Sequence, residues 1–250
     1  MNKITKNDLT VIYYTSNWLD THNPYFLENT KKQLLKAIGD LPLVIVSQKP
    51  TLFGENSRDV CLGDVGRSHL NIYRQILWGA RVAKTKYVAM AEDDILYSYE
   101  HFHTYVPDKE RFAYDMSKWS LFTWTKPPLF SFRTNRKVVN SLIAPRKMLI
   151  SAMEERFARF DKLISEGKKE EDIIHFWGDP GRYEKQLGVT VRETEEFYSA
   201  VPNIVFSHPE AFGYLSRGTR KKLGDITATE IPYWGRAEDI LKLYFEKTPL

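Results

Sequence analysis

The chain has 250 residues, with 36 Lys and Arg against 32 Asp and Glu for a net charge of +4, 42% hydrophobic and 14% aromatic residues, and one cysteine. That length allows a self-sufficient core, and a lone cysteine excludes both a disulfide framework and a cysteine metal cluster, pointing to a reducing, cytoplasmic setting in which Cys61 is a small buried hydrophobe. No run approaches the roughly 20 apolar residues that span a bilayer, Leu9–Tyr14 is too short for a signal peptide, and the near-balanced charge permits a polyanionic partner without requiring one.

Leu9 to Tyr14 reads as a first strand, closed by Thr15-Ser16-Asn17. Asn23-Pro24 has the form of an N-cap followed by proline at the first helical position, and Leu27, Leu34 and Ile38 mark one helix face before Gly39 stops it. Leu43 to Ser47 is a second strand. Thr51 to Arg67, rich in Gly, Asp and Ser, reads mostly as loop. Ser68 caps a helix in which Leu70, Tyr73, Leu77 and Ala80 recur at helical spacing. The apolar run Lys86 to Ala91 then has the length and composition of a buried strand, and it ends in Glu92-Asp93-Asp94. Strand, helix, strand, loop, helix, strand implies crossover connections and a largely parallel sheet.

The second half is less regular. Ser120 to Trp124 and Ser141 to Ala144 are candidate strands, and Pro145 opens a helix with Leu149, Met153, Phe157, Phe160 and Ile164 on its core face, ending at Gly167. Lys168 to Glu171 reads as a solvated turn, His175 to Gly181 as a loop, Ile204 to Phe206 as a strand and Ala237 to Phe245 as a final amphipathic helix. Without a repeat or linker, residues 1–250 read as a single α/β domain. Residues 1–110 would bind donor and metal, and residues 111–250 the acceptor.

Acids at the end of such a strand sit where ligands bind in open α/β folds. Strand alternation puts Glu92 and Asp94 on one face and Asp93 on the other. At about 6 Å and an effective dielectric of about 20, two such charges repel by roughly 3 kcal/mol, which a divalent cation would cancel. Hard oxygen ligands suit Mg²⁺ or Mn²⁺ shared with substrate phosphates, so the implied substrate is a diphosphate. His208, just past the Ile204–Phe206 strand, is the candidate additional ligand and would favour Mn²⁺. His22, His69, His101, His103 and His175 carry no such signal. Arg217, Arg220, Lys221 and Lys222 are candidates to fold over the diphosphate.

Three stretches together resemble a glycosyltransferase of the GT-A fold: Thr10 to Asn17, Arg67 to Leu77, and Tyr87 to Asp94. The Glu92-Asp93-Asp94 triplet looks like that family's D-x-D motif. The resemblance implies a Rossmann-like, mostly parallel central sheet flanked by helices, with Asp94 as leading metal ligand, Glu92 as a donor contact and Asp93 as a donor or metal contact. Thr15 and Ser16 align with the loop that receives the nucleobase, Arg67 falls among the donor contacts, and His208 resembles the late histidine that completes the metal site. The implied activity is Mn²⁺- or Mg²⁺-dependent transfer of a hexosyl or pentosyl group from a nucleoside-diphosphate sugar to an acceptor hydroxyl. If the anomeric centre inverts, a base is needed. Asp179 is the candidate, with Glu184, Glu193, Glu195 and Glu196 as fallbacks.

Trp119, Trp124, Phe130, Phe132 and Trp177, interleaved with Lys126, Arg133, Arg136 and Lys137, suit a glycan or small-molecule acceptor, and a hydroxylated DNA base as a minority reading. Two rival classes share some of these features. A sugar nucleotidyltransferase should carry a glycine-rich phosphate loop after the first strand, where Thr15-Ser16-Asn17-Trp18 has no glycine. A non-catalytic carbohydrate-binding module would hardly need a parallel sheet with crossover helices.

Overall fold

A computed structural model describes residues 4–173, 179–207 and 223–245. Its first half alternates strand and helix: β1 (Leu9–Tyr14), α1 (Trp18–His22), α2 (Pro24–Ile38), β2 (Leu43–Ser47), β3 (Ser57–Cys61), α3 (His69–Val82) and β4 (Tyr87–Ala91). Both predicted caps form. Asn23 Oδ1 accepts from the Phe26 N–H at 3.1 Å, and Ser68 Oγ accepts from the Asn71 N–H at 3.2 Å. After β4 come β5 (Ile95–Leu96), α4 (Tyr99–His103), β6 (Phe112–Asp115), β7 (Lys118–Phe122), β8 (Leu129–Phe132), β9 (Leu142–Pro145), α5 (Arg146–Ser165), β10 (Thr194–Phe197), β11 (Asn203–Ser207) and β12 (Ile226–Ala228).

The central sheet has seven strands in the order β10-β6-β9-β4-β1-β2-β3. Only β9 runs antiparallel to its neighbours, so the sheet is mixed and mostly parallel. Every residue of β1, β2 and β4 is buried, because helices cover both faces. Ile12, Val44, Val46, Val88 and Met90 face α3 and α5, while Leu9, Val11, Leu43, Ile45 and Ala89 pack with α2 and α4. From β1 the chain moves outward to β2 and β3, then returns to place β4 on the other side of β1. The order reverses at that pair, which opens a crevice at the carboxyl ends of the two strands.

A second sheet, β12-β8-β7-β11-β5, stands beside the first. Its core holds Leu96, Leu121, Phe130, Ile204 and Phe206, joined by Leu19, Phe26 and Leu27 from the first half. The chain leaves the central sheet at Ala91 and enters the second at Ile95. Glu92-Asp93-Asp94 is therefore the joint between two sheets.

Several elements depart from the periodic reading. Thr51–Arg67 contains β3, a mostly polar edge strand whose half-exposed residues carry no apolar signal. Cys61 lies on that strand and is exposed rather than buried. Strands β7 and β9 start two residues earlier and one residue later than expected. On α5, Leu149 and Met153 are buried but Ile164 is 39% exposed, since the helix outruns the sheet it covers. Glu170–Ile173 forms a short helical turn, and the final helix spans only Ala237–Leu241. No described helix is long and apolar enough to cross a membrane.

α3 approaches the sheet closely at Gly79, where an added Cβ would overlap Ile12 Cγ2 and stand 3.2 Å from Val46 Cγ2. Ile12 and Val46 are fully buried and branched at Cβ, so neither swings aside. Overpacking of this kind costs about 1–3 kcal/mol, against about 1 kcal/mol gained in helix propensity. Gly79→Ala is therefore expected to lower stability by up to about 2 kcal/mol in urea denaturation, whereas a variant more stable than wild type would mean that α3 is not seated this tightly.

Candidate functional site

The crevice at the β1/β4 switch point is a cleft of about 680 Å³, counting its open mouth. Tyr14, Thr15, Ser16 and Trp18 contribute from the end of β1, Gln48 from the end of β2, Arg67, Asn71 and Gln75 from α3 and its approach, and Glu92, Asp93 and Asp94 from the joint after β4. Of the residues that sequence reasoning assigned to donor or metal, Thr15, Ser16, Arg67, Glu92, Asp93 and Asp94 converge here. His175, Trp177, His208, Arg217, Arg220, Lys221 and Lys222 lie outside the described residues. The Phe206 N–H donates to the Asp94 carbonyl at 3.0 Å, so β11 runs beside the joint.

β4 ends at Ala91, and all three acids line the cleft, half-buried, with Glu92 bonded to Tyr14 and Asp93 to the next residue, Thr15. Glu92 is held at both oxygens, Oε1 accepting from the Tyr14 hydroxyl at 2.7 Å and Oε2 from Asn140 Nδ2 at 2.8 Å. Burial first, and then repulsion from Asp94, raise its carboxyl to about 7 despite those bonds. Asp93 Oδ2 accepts from Thr15 Oγ1 at 2.6 Å, and its carbonyl accepts from Thr30 Oγ1 at 2.9 Å. The joint is thus fixed from β1 and the residue after it, α2 and the turn before β9.

Opposite the acids, the loop after β1 is built on Asn17, which sits in the left-handed region at φ 59°. Its Oδ1 accepts from the Gln48 and Lys49 N–H groups at 2.8 and 2.9 Å, while Nδ2 donates to Asp20 and Thr51. Gln75 reaches from α3 to the Thr15 carbonyl at 2.7 Å and the Val46 carbonyl at 3.1 Å. Trp18 stacks on His22 at 3.8 Å between ring centres, and the Arg67 guanidinium lies 4.9 Å from the Trp18 ring. The cleft therefore has an aromatic platform at one wall and clustered carboxylates at the other.

Sequence reasoning passed over Tyr14, Trp18, Gln48, Asn71, Gln75 and Asn140. Gln75 had a visible signal, a polar side chain within the apolar turn Tyr73 to Leu77. Gln48 had a positional one, as the first residue past a parallel strand. Asn140 had none, because nothing local announces that it meets Glu92 across 48 positions.

Other candidates lie elsewhere. Asp179 does not line the cleft: Oδ1 accepts from the Val139 N–H at 2.7 Å and the Tyr73 hydroxyl at 3.3 Å, and Oδ2 pairs with Arg182 at 3.3 Å. Glu184 forms a buried pair with Arg156 at 2.5 Å, Glu193 pairs with Arg111, Glu196 with Lys137, and Glu195 accepts from the Asp108 N–H. Phe130 is fully buried in the second core rather than presented to a ligand. His101 is buried against Asp115 at 2.9 Å, and His103 faces the last carbonyls of α2.

Among the described residues no group of three His, Cys, Asp or Glu side chains is arranged to hold a metal ion. Mg²⁺ and Mn²⁺ seldom need such a cage, since one or two carboxylates plus phosphate oxygens and water complete their shell. With Glu92 clamped at both oxygens, Asp93 and Asp94 are the acids of the joint that are candidates to share such an ion.

No family model and no curated protein matches the chain. Similar solved structures include the apo form of the glycosyltransferase GlyE from Streptococcus pneumoniae TIGR4, at 11% identity and TM-score 0.43 over 76% of this chain and 45% of that one. TarS 1–349 from S. aureus in complex with UDP-GlcNAc matches at 11% identity and TM-score 0.44 over 80% and 59%. The galactosyltransferase LgtC in complex with donor and acceptor sugar analogues matches at 9% identity and TM-score 0.45 over 94% and 95%. The chain thus spans under half the length of GlyE, and scores below 0.5 leave the assignment to its own residues.

Asn17 is the support that the cleft wall needs most. Asn17→Ala leaves two amide donors without their acceptor and a Cβ in the left-handed region, and is expected to cost at least about 2 kcal/mol. Asn17→Gly should cost less, because it restores the backbone conformation alone. Equal losses in urea denaturation would mean that the side-chain bonds carry the whole effect.

Proposed function

We propose that the chain is a metal-dependent glycosyltransferase, moving a sugar from a nucleoside-diphosphate donor in the β1/β4 cleft to an acceptor hydroxyl that approaches over the second sheet. One observation carries this reading. Three half-buried carboxylates, two of them fixed by hydrogen bonds from β1, face an aromatic platform across a cleft at the switch point of a mostly parallel sheet. A base needs a flat apolar wall with amide edges nearby, and Trp18 with Gln48 and Asn71 supplies both. A diphosphate needs positive charge, which Arg67 and a cation beside Asp94 provide.

In this reading Asp94 and Asp93 hold Mn²⁺ or Mg²⁺, and His208 remains the proposed additional ligand. Bound there, the ion supplies Lewis acidity and a template for the diphosphate as negative charge builds on the leaving group. Thr15 fixes the Asp93 carboxylate so that it does not reorganise as charge develops. Glu92, clamped by Tyr14 and Asn140, offers its carboxylate to donor hydroxyls. Trp18 and Gln48 hold the nucleoside, which sets the position of the sugar and lowers the entropic part of the barrier. The nucleotidyltransferase alternative is less well served, because the turn after β1 is organised by the Asn17 side chain rather than by a glycine-rich run of free N–H groups.

Asp179 is better read as an anchor than as a base. A base needs a lone pair aimed at the acceptor. Asp179 instead accepts from Val139, next to the Asn140 that clamps Glu92.

Asp94→Ala is expected to reduce donor hydrolysis and sugar transfer by at least about 10²-fold and to abolish metal-dependent nucleotide binding, with the melting temperature near that of wild type. A fully active Asp94→Ala would remove the proposal. Asp179→Asn should lower transfer less than about tenfold, since loss of a true base costs about 10²–10⁴-fold. Loss of transfer in that range with donor binding intact would restore Asp179 as the base.

A further inference from the structure

A second recess, about 310 Å³ with its mouth, is lined in part by Lys118, Ser120, Ser131, Arg133, Arg136 and Asn140. Three cations converge on it. Lys118 opens β7 and is only 8% exposed, and its ammonium donates to Ser141 Oγ at 3.0 Å, a neutral partner. Arg136 is half-buried, and among the described residues neither it nor Lys118 forms an ion pair. The carboxylates nearby are already engaged: Glu92 by Tyr14 and Asn140, Asp115 by His101 and Ser199, Asp179 by Val139 and Arg182.

Arg133 is exposed, but holding the buried Lys118 ammonium near the Arg136 guanidinium without a counter-ion is unfavourable. Burial and then repulsion from Arg136 pull the Lys118 ammonium down to about 7, and burial with repulsion from Arg133 lowers Arg136. A bound oxyanion would reverse both effects and accept charge-assisted hydrogen bonds from the cations, with the Ser120 and Ser131 hydroxyls as additional donors. The location is specific as well. Asn140 lines this recess while its Nδ2 donates to Glu92 Oε2 at 2.8 Å, so the recess and the donor cleft share a wall. Lys118 and Ser131 in its lining are both buried, which suits a terminal group better than a continuous backbone.

We propose that this recess is an anion subsite that seats a terminal phosphate or carboxylate of the acceptor, beside the donor cleft. The word acceptor rests on the glycosyltransferase reading; the anion site itself does not. An acceptor held there by its charged end would present a neighbouring hydroxyl towards the Glu92 side of the cleft.

The test uses the full chain with inorganic phosphate as probe, followed by thermal shift against potassium chloride at matched ionic strength. Wild type should show a saturable rise in melting temperature with phosphate, and Arg136→Gln and Lys118→Met should each weaken the apparent affinity by at least about tenfold. Neither residue lines the donor cleft, so the response of both variants to nucleoside diphosphate with Mn²⁺ should match that of wild type. If Lys118→Met fails to fold, Arg136→Gln decides alone. A phosphate response no larger than that of chloride, or one that persists in the variants, would overturn the subsite. Magnesium pyrophosphate should leave the phosphate response in place; its loss would assign the recess to the donor. Displacement of phosphate by a single-stranded oligodeoxynucleotide, lost in the same variants, would overturn the terminal-group assignment in favour of a polynucleotide. Because the readout is phosphate binding, failure here is separable from an inactive or fully active Asp94→Ala.

Discussion

The arrangement depends on a conflict of charge at one turn. β4 is buried on both faces and ends at Ala91, and within four residues the chain must begin β5 in another sheet. The connection between them consists of three acids. Backbone and side-chain bonds from Tyr14, Thr15, Thr30, Asn140 and Phe206 hold that connection in place. Those bonds fix the geometry, yet burial first, and then repulsion from Asp94, still raises the Glu92 carboxyl to about 7. A structural turn has cheaper solutions, such as Gly, Asn or Ser. Acids fixed here make sense when a cation is part of the working state.

The surroundings fit the same reading. The loop after β1 is shaped by Asn17 and Gln75, so the wall facing the acids is preformed rather than assembled on binding. The second sheet extends from the joint through β5 and carries the basic recess on its near side, behind Asn140. A donor in the cleft and an anionic acceptor in the recess, as proposed, would then meet across Glu92. The two sheets do not divide at residue 110, since β6, β9 and β10 join the central sheet, β5 joins the second, and α1 and α2 pack into the second core.

Much of the first half was legible because its signals are local. Proline after Asn23, serine before α3, and unbroken apolar runs for β1, β2 and β4 each identify an element on their own. β3 was not legible, since a polar edge strand gains its structure from the neighbour it pairs with, not from its own residues. The second sheet was hidden for a related reason: β5 and β12 are short strands whose pairings span long stretches of chain, and β8 is a four-residue strand. At the site, the carboxylates could be named from their place after a strand and Thr15 from the resemblance of its loop, but the bonds that fix them could not. Asn140 and Asp179 show the limit most clearly, because their roles come from contacts with Glu92 and Val139 that no spacing encodes.

Linkage between metal and nucleotide tests the central claim most directly. If the turn grips a cation only through a shared diphosphate, equilibrium dialysis should find little Mn²⁺ retained by the protein alone and near-stoichiometric Mn²⁺ once the matching nucleoside diphosphate is added, with each ligand tightening the other by the same factor. Nucleotide binding indifferent to Mn²⁺, or unchanged when Asp94 is replaced, would contradict the account.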